Sequence, residues 1–271
     1  MNWLALRRAT PARIGLGRSG TALPTAAQLD FQLAHARARD AVYAALDTER
    51  IQADLRGLGL TALPLHSQAS DRPTYLRRPD LGRKLSSESR QILVMPGLVP
   101  GIHETTEQLL VDGRGKPGHD GHKKEGCDIA FVIADGLSAT AVNAHAVPLI
   151  AAVLPQLGGW RIGPVAVVAE GRVAIGDEIG GLLGADLVVV LIGERPGLSA
   201  ADSLGVYMTW QPAPGAVDAA RNCLSNIRPE GMPIADAADA LIRLITAARQ
   251  HRMTGVSLSQ RLALVGDETP L

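Results

Sequence analysis

Leu187-Val-Val-Val-Leu-Ile-Gly-Glu-Arg-Pro-Gly197 decides the fold. Six apolar β-formers in succession read as a strand covered on both faces, the form strands take in a parallel α/β sheet. A glycine, two opposite charges and a proline then end it abruptly. Ligands of open α/β sheets bind in the crevice beyond the carboxyl ends of such strands. Glu194 and Arg195 therefore stand where a ligand would be met.

The flanking sequence repeats the same grammar. Asp128 to Ile133 reads as a strand ending in Ala134-Asp-Gly136, with Ser138 capping an apolar helix that runs to about Leu157. Pro164 to Val168 is a second strand, Gly171-Arg-Val173 a turn, and Asp177 to Leu183 a short helix. Strand and helix alternating through short connections predict an α/β fold with a Rossmann-like, doubly wound, mostly parallel sheet. Val206 to Trp210 adds a further strand. Pro233 to His251 closes the chain as a helix with Ala237, Leu241, Ile245 and Ala248 on its buried side. Upstream, Leu29, Leu33, Ala36 and Val42 recur at helical spacing between about Thr25 and Leu46, and Thr25 is placed to cap that helix. Gly57, Gly59, Pro64, Pro73 and Pro79 break any long pattern over residues 48–90. The N-terminal part thus reads as a helical arm or cap rather than part of a sheet.

Residues 94–125 belong to neither part by composition. They hold three of the four lysines, three of the seven histidines, six glycines and three prolines, and no alanine in an alanine-rich chain. Such a shift marks an inserted loop, and its Met95-Pro-Gly-Leu-Val-Pro-Gly-Ile-His103 is similar to peptides encoded by interspersed repeats. The expected division is a helical region over 1–93, the insertion over 94–126, and the sheet domain over 127–271.

Bulk properties remove several function classes. The 271 residues are 46% hydrophobic, enough for a real core, and 27 basic residues balance 27 acidic ones. Residues 1–90 carry 14 basic and 8 acidic side chains, and 127–271 carry 9 and 14. Neither end is charged densely enough for nucleic acid, and no apolar run approaches the roughly 20 residues of a membrane span. Cys127 and Cys223 form no disulfide framework and nothing reads as a secretory signal, so a cytoplasmic location is expected.

Gly15-Leu-Gly-Arg-Ser-Gly20 matches the dinucleotide fingerprint G-x-G-x-x-G literally. Its context is wrong: only Ala12 to Ile14 could be the preceding strand, and Pro24 interrupts the helix that should start at once. A flexible basic loop is the plainer reading. Asp135-Gly-Leu-Ser138 places a carboxylate at a strand end, facing the crevice, although for this motif alone a well-capped strand-to-helix turn is the better explanation. His103, His119, His122 and Cys127 offer zinc-type donors in no compact metal spacing, so no metal is assigned. Cys223 lacks a neighbouring histidine and reads as a small buried residue.

Four blocks taken together resemble the small subunits of ethanolamine ammonia-lyase. They are Thr10-Pro-Ala-Arg-Ile-Gly-Leu-Gly-Arg-Ser-Gly20 with His35-Ala-Arg-Ala-Arg-Asp40; Ala134-Asp-Gly-Leu-Ser138; Gly193-Glu-Arg-Pro-Gly-Leu198 leading to Asp202-Ser-Leu204; and Arg221-Asn-Cys-Leu-Ser-Asn-Ile227. The resemblance implies an adenosylcobalamin enzyme that converts ethanolamine to acetaldehyde and ammonia by radical chemistry. It implies a chain that holds part of the corrinoid while a large barrel subunit supplies the substrate site, so no catalytic residue is expected here. Carried over by motif, the cofactor contacts fall on Val173, Glu194 and Cys223. Family members sent to protein-shelled microcompartments often carry a longer N-terminal extension, so shell targeting is not expected. Two other readings remain: a nucleotide-dependent Rossmann enzyme using Gly15 to Gly20, and a structural adaptor that touches no cofactor.

Overall fold

A computed structural model describes residues 3–10, 12–95 and 126–265. Helices α1 (Trp3–Arg8), α2 (Thr25–Tyr43) and α3 (Thr48–Gly57) precede strand β1 (Ala62–His66), followed by α4 (Arg72–Arg77) and α5 (Ser87–Val94). Then come β2 (Ile129–Ala134), α6 (Ala139–Val153), β3 (Val165–Ala169), α7 (Ile175–Leu182) and β4 (Leu187–Gly193). The chain continues through β5 (Leu204–Trp210), β6 (Arg221–Ile227), α8 (Ile234–His251) and α9 (Val256–Val265). The six strands form one sheet in the order β1-β3-β2-β4-β5-β6.

The fold is α/β, but the sheet is mixed. β1, β3, β2 and β4 run parallel, whereas β5 is antiparallel to β4 and β6 to β5. The link from β4 to β5 contains no helix, and a parallel crossover usually needs one, so β5 returns antiparallel. The expectation of a sheet-free N-terminal arm is overturned: Ala62–His66 pairs along β3 and forms one edge of the sheet. Pro64 sits in that strand, and an edge is where a residue without an N–H is tolerated.

Burial alternates along the strands as a doubly covered sheet requires. Ile129, Phe131, Ile133, Val189 and Leu191 pack with α3, α6 and α8 on one face. Ala130, Val132, Val188 and Val190 pack towards α5 and α7 on the other. β2 and β4 are buried at every position, which explains their unbroken apolar sequence. Over β5 and β6 the second face opens: Leu204, Val206, Met208 and Leu224 belong to the first core, while Tyr207 is only partly buried and Cys223 is exposed.

β2 lies between β3 and β4, so the chain moves outward in both directions from it. The carboxyl ends of β2 and β4 are thus the point where the strand order reverses. Their backbones interlock there. Leu137 N donates to Gly193 O at 2.9 Å. A Cβ on Gly136, whose φ is +57°, would stand 2.2 Å from Gly193 O, and a Cβ on Gly193 would stand 2.1 Å from Ser138 O. Only glycines permit this approach.

Helix α2 lacks the expected cap: Pro24 holds the N-cap position with no side-chain bond, and Thr25 is the first helical residue. Its larger apolar residues also stay outside the core, since Leu29 is 58% exposed and Leu33 52%, and Ala41 near its end is the residue it buries. Among the described residues, no helix is long and apolar enough to cross a membrane.

Candidate functional site

Two adjoining recesses open where the second face of the sheet lacks a covering helix. The smaller, about 430 Å³, lies at the strand ends and is lined by Tyr75, Gly193, Glu194 and Arg195 among others. The larger, about 760 Å³, runs down the face of β5 and β6 past Cys223, Arg221, Ala216 and Arg83. Arg172, Val173 and Tyr207 line both. Val173, Glu194 and Cys223, 50 residues apart at the extremes of the sequence numbering, therefore border two recesses with a shared wall, Glu194 in the smaller, Cys223 in the larger and Val173 in both. A further hollow of about 890 Å³ lies near β1 and α5, lined by His66, Ser67 and Arg90 among others, and none of the three reaches it.

Each of the three is held by its element. Val173 follows the turn after β3 and leads into α7, with Gly176 N donating back to Val173 O at 3.1 Å. Glu194 is the first residue past β4 and folds against Gly205 of β5, where any Cβ would stand 3.1 Å from its Cγ. Its Oε2 accepts from Ser203 Oγ and from Asn226 N at 3.1 Å, tying together the ends of β4, β5 and β6. Cys223 lies opposite Tyr207 in the ladder. The expectation of a buried Cys223 is corrected, because β6 is an edge strand and its Cys223 face looks into the recess. Burial and the Glu194 charge push its thiol above the usual range, which argues against a nucleophilic thiolate.

Asp135 does not face the crevice as its position at a strand end suggested. It is 4% exposed and accepts from Glu170 N at 3.0 Å and Gly171 N at 2.9 Å. Glu170 adopts a φ of +55°, and these two bonds fasten the strained turn that delivers Arg172 and Val173 to the recess. Arg72 Nη1 bonds both Asp135 and Glu170, at 3.3 and 3.0 Å. Burial and Glu170 push the Asp135 carboxyl up to about 6, against the opposing pull of Arg72 and the two amides.

Tyr75, fully buried, carries Arg72 on its ring at 4.8 Å and Arg172 at 4.3 Å, and its hydroxyl donates to Gly171 O at 3.1 Å. Arg172, Tyr207, Arg83 and Arg221 escaped the sequence reading. Arg172 stood in a recognised turn, but nothing local shows that residues 75, 83, 207 and 221 converge on it.

The G-x-G-x-x-G stretch lies between α1 and α2, and among the described residues no strand precedes it. Gly15 packs against Trp3, whose Cβ would lie 2.8 Å from an added Cβ, so its glycine serves chain packing. No cluster of metal-type donors occurs among the described residues. His103, His119 and His122 lie outside them.

A sequence model for the light chain of ethanolamine ammonia-lyase (EutC) matches residues 1–113 and 116–259. The chain belongs to the ethanolamine ammonia-lyase small-subunit family. It is 50% identical to the small subunit from Pseudomonas syringae pv. tomato over 264 residues, 97% of this chain and 84% of that one. The small subunit from Ralstonia nicotianae is 51% identical over 260 residues, 95% and 88% of the two chains. That from Xanthomonas campestris pv. campestris is 49% identical over 271 residues, 98% and 91%. Membership makes it a lyase subunit that works with a partner, and neither the nucleotide-enzyme reading nor the bare adaptor reading gains support.

Proposed function

We propose that this chain holds adenosylcobalamin against a large barrel subunit, which binds ethanolamine and converts it to acetaldehyde and ammonia. The observation that carries the reading is the convergence of Val173, Glu194 and Cys223 on two open, adjoining recesses that begin at the reversal point of the sheet. A corrin is a broad disc rimmed with amides, which fits a shallow platform of small residues with a few polar groups better than a deep, closed pocket. Val173, Ala174 and Cys223 supply the small apolar surface. Glu194 supplies an acceptor for a rim amide, and Arg172 has a buried Nε with no hydrogen-bond partner on the same wall.

When bound, the cofactor supplies the radical that starts the reaction, and this chain's residues orient it and exclude water. The Ser203 and Asn226 bonds fix the Glu194 carboxylate before any ligand arrives, so little ordering is lost on binding. In this reading the sheet is a Rossmann-like scaffold extended by an antiparallel pair, residues 94–126 are an insertion, and the protein is cytoplasmic. Leu29, Leu33 and Tyr43, strongly exposed and on one side of α2 by helical spacing, form the surface on which the large subunit seats.

Glu194→Ala tests the cofactor role. In the complex with the large subunit it is expected to weaken corrinoid binding about tenfold, the effect of losing one charge-assisted hydrogen bond. Unchanged corrinoid affinity with intact assembly would return the chain to a structural adaptor. Deleting residues 94–124 is expected to leave turnover within twofold of the intact chain, measured as acetaldehyde formed by the reconstituted complex. A large loss in a folded, assembled deletion variant would assign that segment a role.

A further inference from the structure

The larger recess carries more positive charge than neutral rim amides require. Arg83, Arg172 and Arg221 all line it, and the acids near them are Asp177 and Asp218. Both acids are directed to the same arginine. Arg221 Nη2 bonds Asp177 at 2.6 Å, and its Nε stands 4.0 Å from Asp218 Oδ1. These five groups sum to a net charge of +1, and because both acids are directed to Arg221, Arg172 and Arg83 are left without an acid of their own in the recess.

Arg172 is built to stay in place without an anion of its own chain. Its guanidinium lies 4.3 Å from the Tyr75 ring centre, and its Nη2 reaches Tyr75 O at 3.4 Å. Its Nε is buried and has no hydrogen-bond acceptor among the described residues. Arg221 repeats the pattern on the facing strand: its side chain is 3% exposed, and its Nε likewise lacks an acceptor within hydrogen-bond reach. Buried N–H groups are almost always paired. Both side chains line the larger recess, and each keeps one N–H, shielded from solvent, that no described residue accepts; an anion in the recess would meet it after a small turn of the guanidinium. The planar fork of arginine is matched to a tetrahedral phosphate in geometry and charge. Asp218 lines the same recess, but its side chain is fully exposed and its charge is screened by water, while the Asp177 charge is met by Arg221.

We propose that Arg172, with Arg83 and Arg221, forms a phosphate site in the larger recess. Resting on the cofactor reading above, its natural occupant is the phosphodiester of the corrinoid's nucleotide loop; free phosphate shares the chemistry and is the other source.

The test uses the complex of this chain with its large subunit, titrated with cyanocobalamin and with cyanocobinamide, which lacks the nucleotide loop and its phosphodiester. Arg172→Gln is expected to raise the Kd for cyanocobalamin about tenfold and to leave that for cyanocobinamide within twofold. Arg83→Gln, at an exposed turn, should act in the same direction and guards against a folding defect in the first variant. A parallel arm follows thermal unfolding with inorganic phosphate alone. Stabilisation of the wild-type complex that Arg172→Gln abolishes, with cyanocobalamin affinity unchanged, assigns the site to free phosphate. Equal losses for both corrinoids, or no loss for either with no phosphate effect, overturn the proposal. Failure of either corrinoid to bind the wild-type complex would instead overturn the cofactor reading, and the phosphate arm would still decide the site.

Discussion

Asp135 occupies the place where a ligand-binding carboxylate was expected, yet it spends its acceptors on the backbone of a neighbouring turn. Its raised carboxyl, about 6, gives the site a pH signature. An unfolded aspartate titrates near 3.9. Between those values the folded chain binds more protons than the unfolded one, so this group's contribution to stability is greatest below about pH 4 and declines as pH rises through 6. Asp177, also raised to about 6 by its burial, adds a slope of the same sign. Asp135→Asn is therefore expected to flatten the fall in thermal midpoint between pH 4.5 and 6.5, removing up to about 1.4 kcal/mol per pH unit. An unchanged slope would show that Asp135 does not titrate in that window. The function of this residue was not legible because its partners, Arg72 and the amides of Glu170 and Gly171, lie some 35 to 63 positions away.

Elements differed in how openly the sequence declared them. β2 and β4 were legible because both their faces are buried, which demands an unbroken apolar run. β6, Arg-Asn-Cys-Leu-Ser-Asn-Ile, hid because one of its faces borders the recess and carries polar or small residues where a core strand has valine. β1 hid behind Pro64, a strand breaker everywhere except at an edge. The site depends most on a junction between elements that periodicity did reveal, the contact of the β2–α6 turn with the end of β4. Gly136→Ala would drive a Cβ into Gly193 O and impose an L side chain on a φ of +57°. It is expected to destabilise the chain by about 2–4 kcal/mol, measured by denaturant unfolding. Gly20→Ala isolates the backbone part of that effect: its φ is +63° but nothing lies within 4 Å of the added Cβ. Its cost should be about 1 kcal/mol. Equal losses in the two variants would mean that the interlock of the two turns contributes nothing.

At the scale of the whole molecule, the large apolar residues of α2 satisfy a helical pattern without entering this chain's core, where the helix places only Ala41. Leu29 and Leu33 stand on one helical side, four residues apart, and Phe31 and Tyr43 are also exposed. A helix whose apolar residues face outward is explained by a surface that arrives with another subunit, and family membership supplies one. Burying a leucine side chain is worth about 1.5–3 kcal/mol. Leu29→Asp with Leu33→Asp should therefore weaken association with the large subunit by at least a hundredfold, seen as loss of co-elution in gel filtration. The same pair should leave the thermal midpoint of the isolated chain nearly unchanged, because both side chains are already more than half exposed in it. A drop in that midpoint would mean that α2 stabilises the chain from within. Retained co-elution would place the large subunit on another face. The wild-type chain alone should form no acetaldehyde from ethanolamine with adenosylcobalamin added, and mixing with the large subunit should restore turnover. The double variant should then fail in the mixture even at corrinoid concentrations that saturate the wild-type complex, since what it would lack is the proposed seam rather than the proposed cofactor contacts just past β4, on β6 and in the turn before α7.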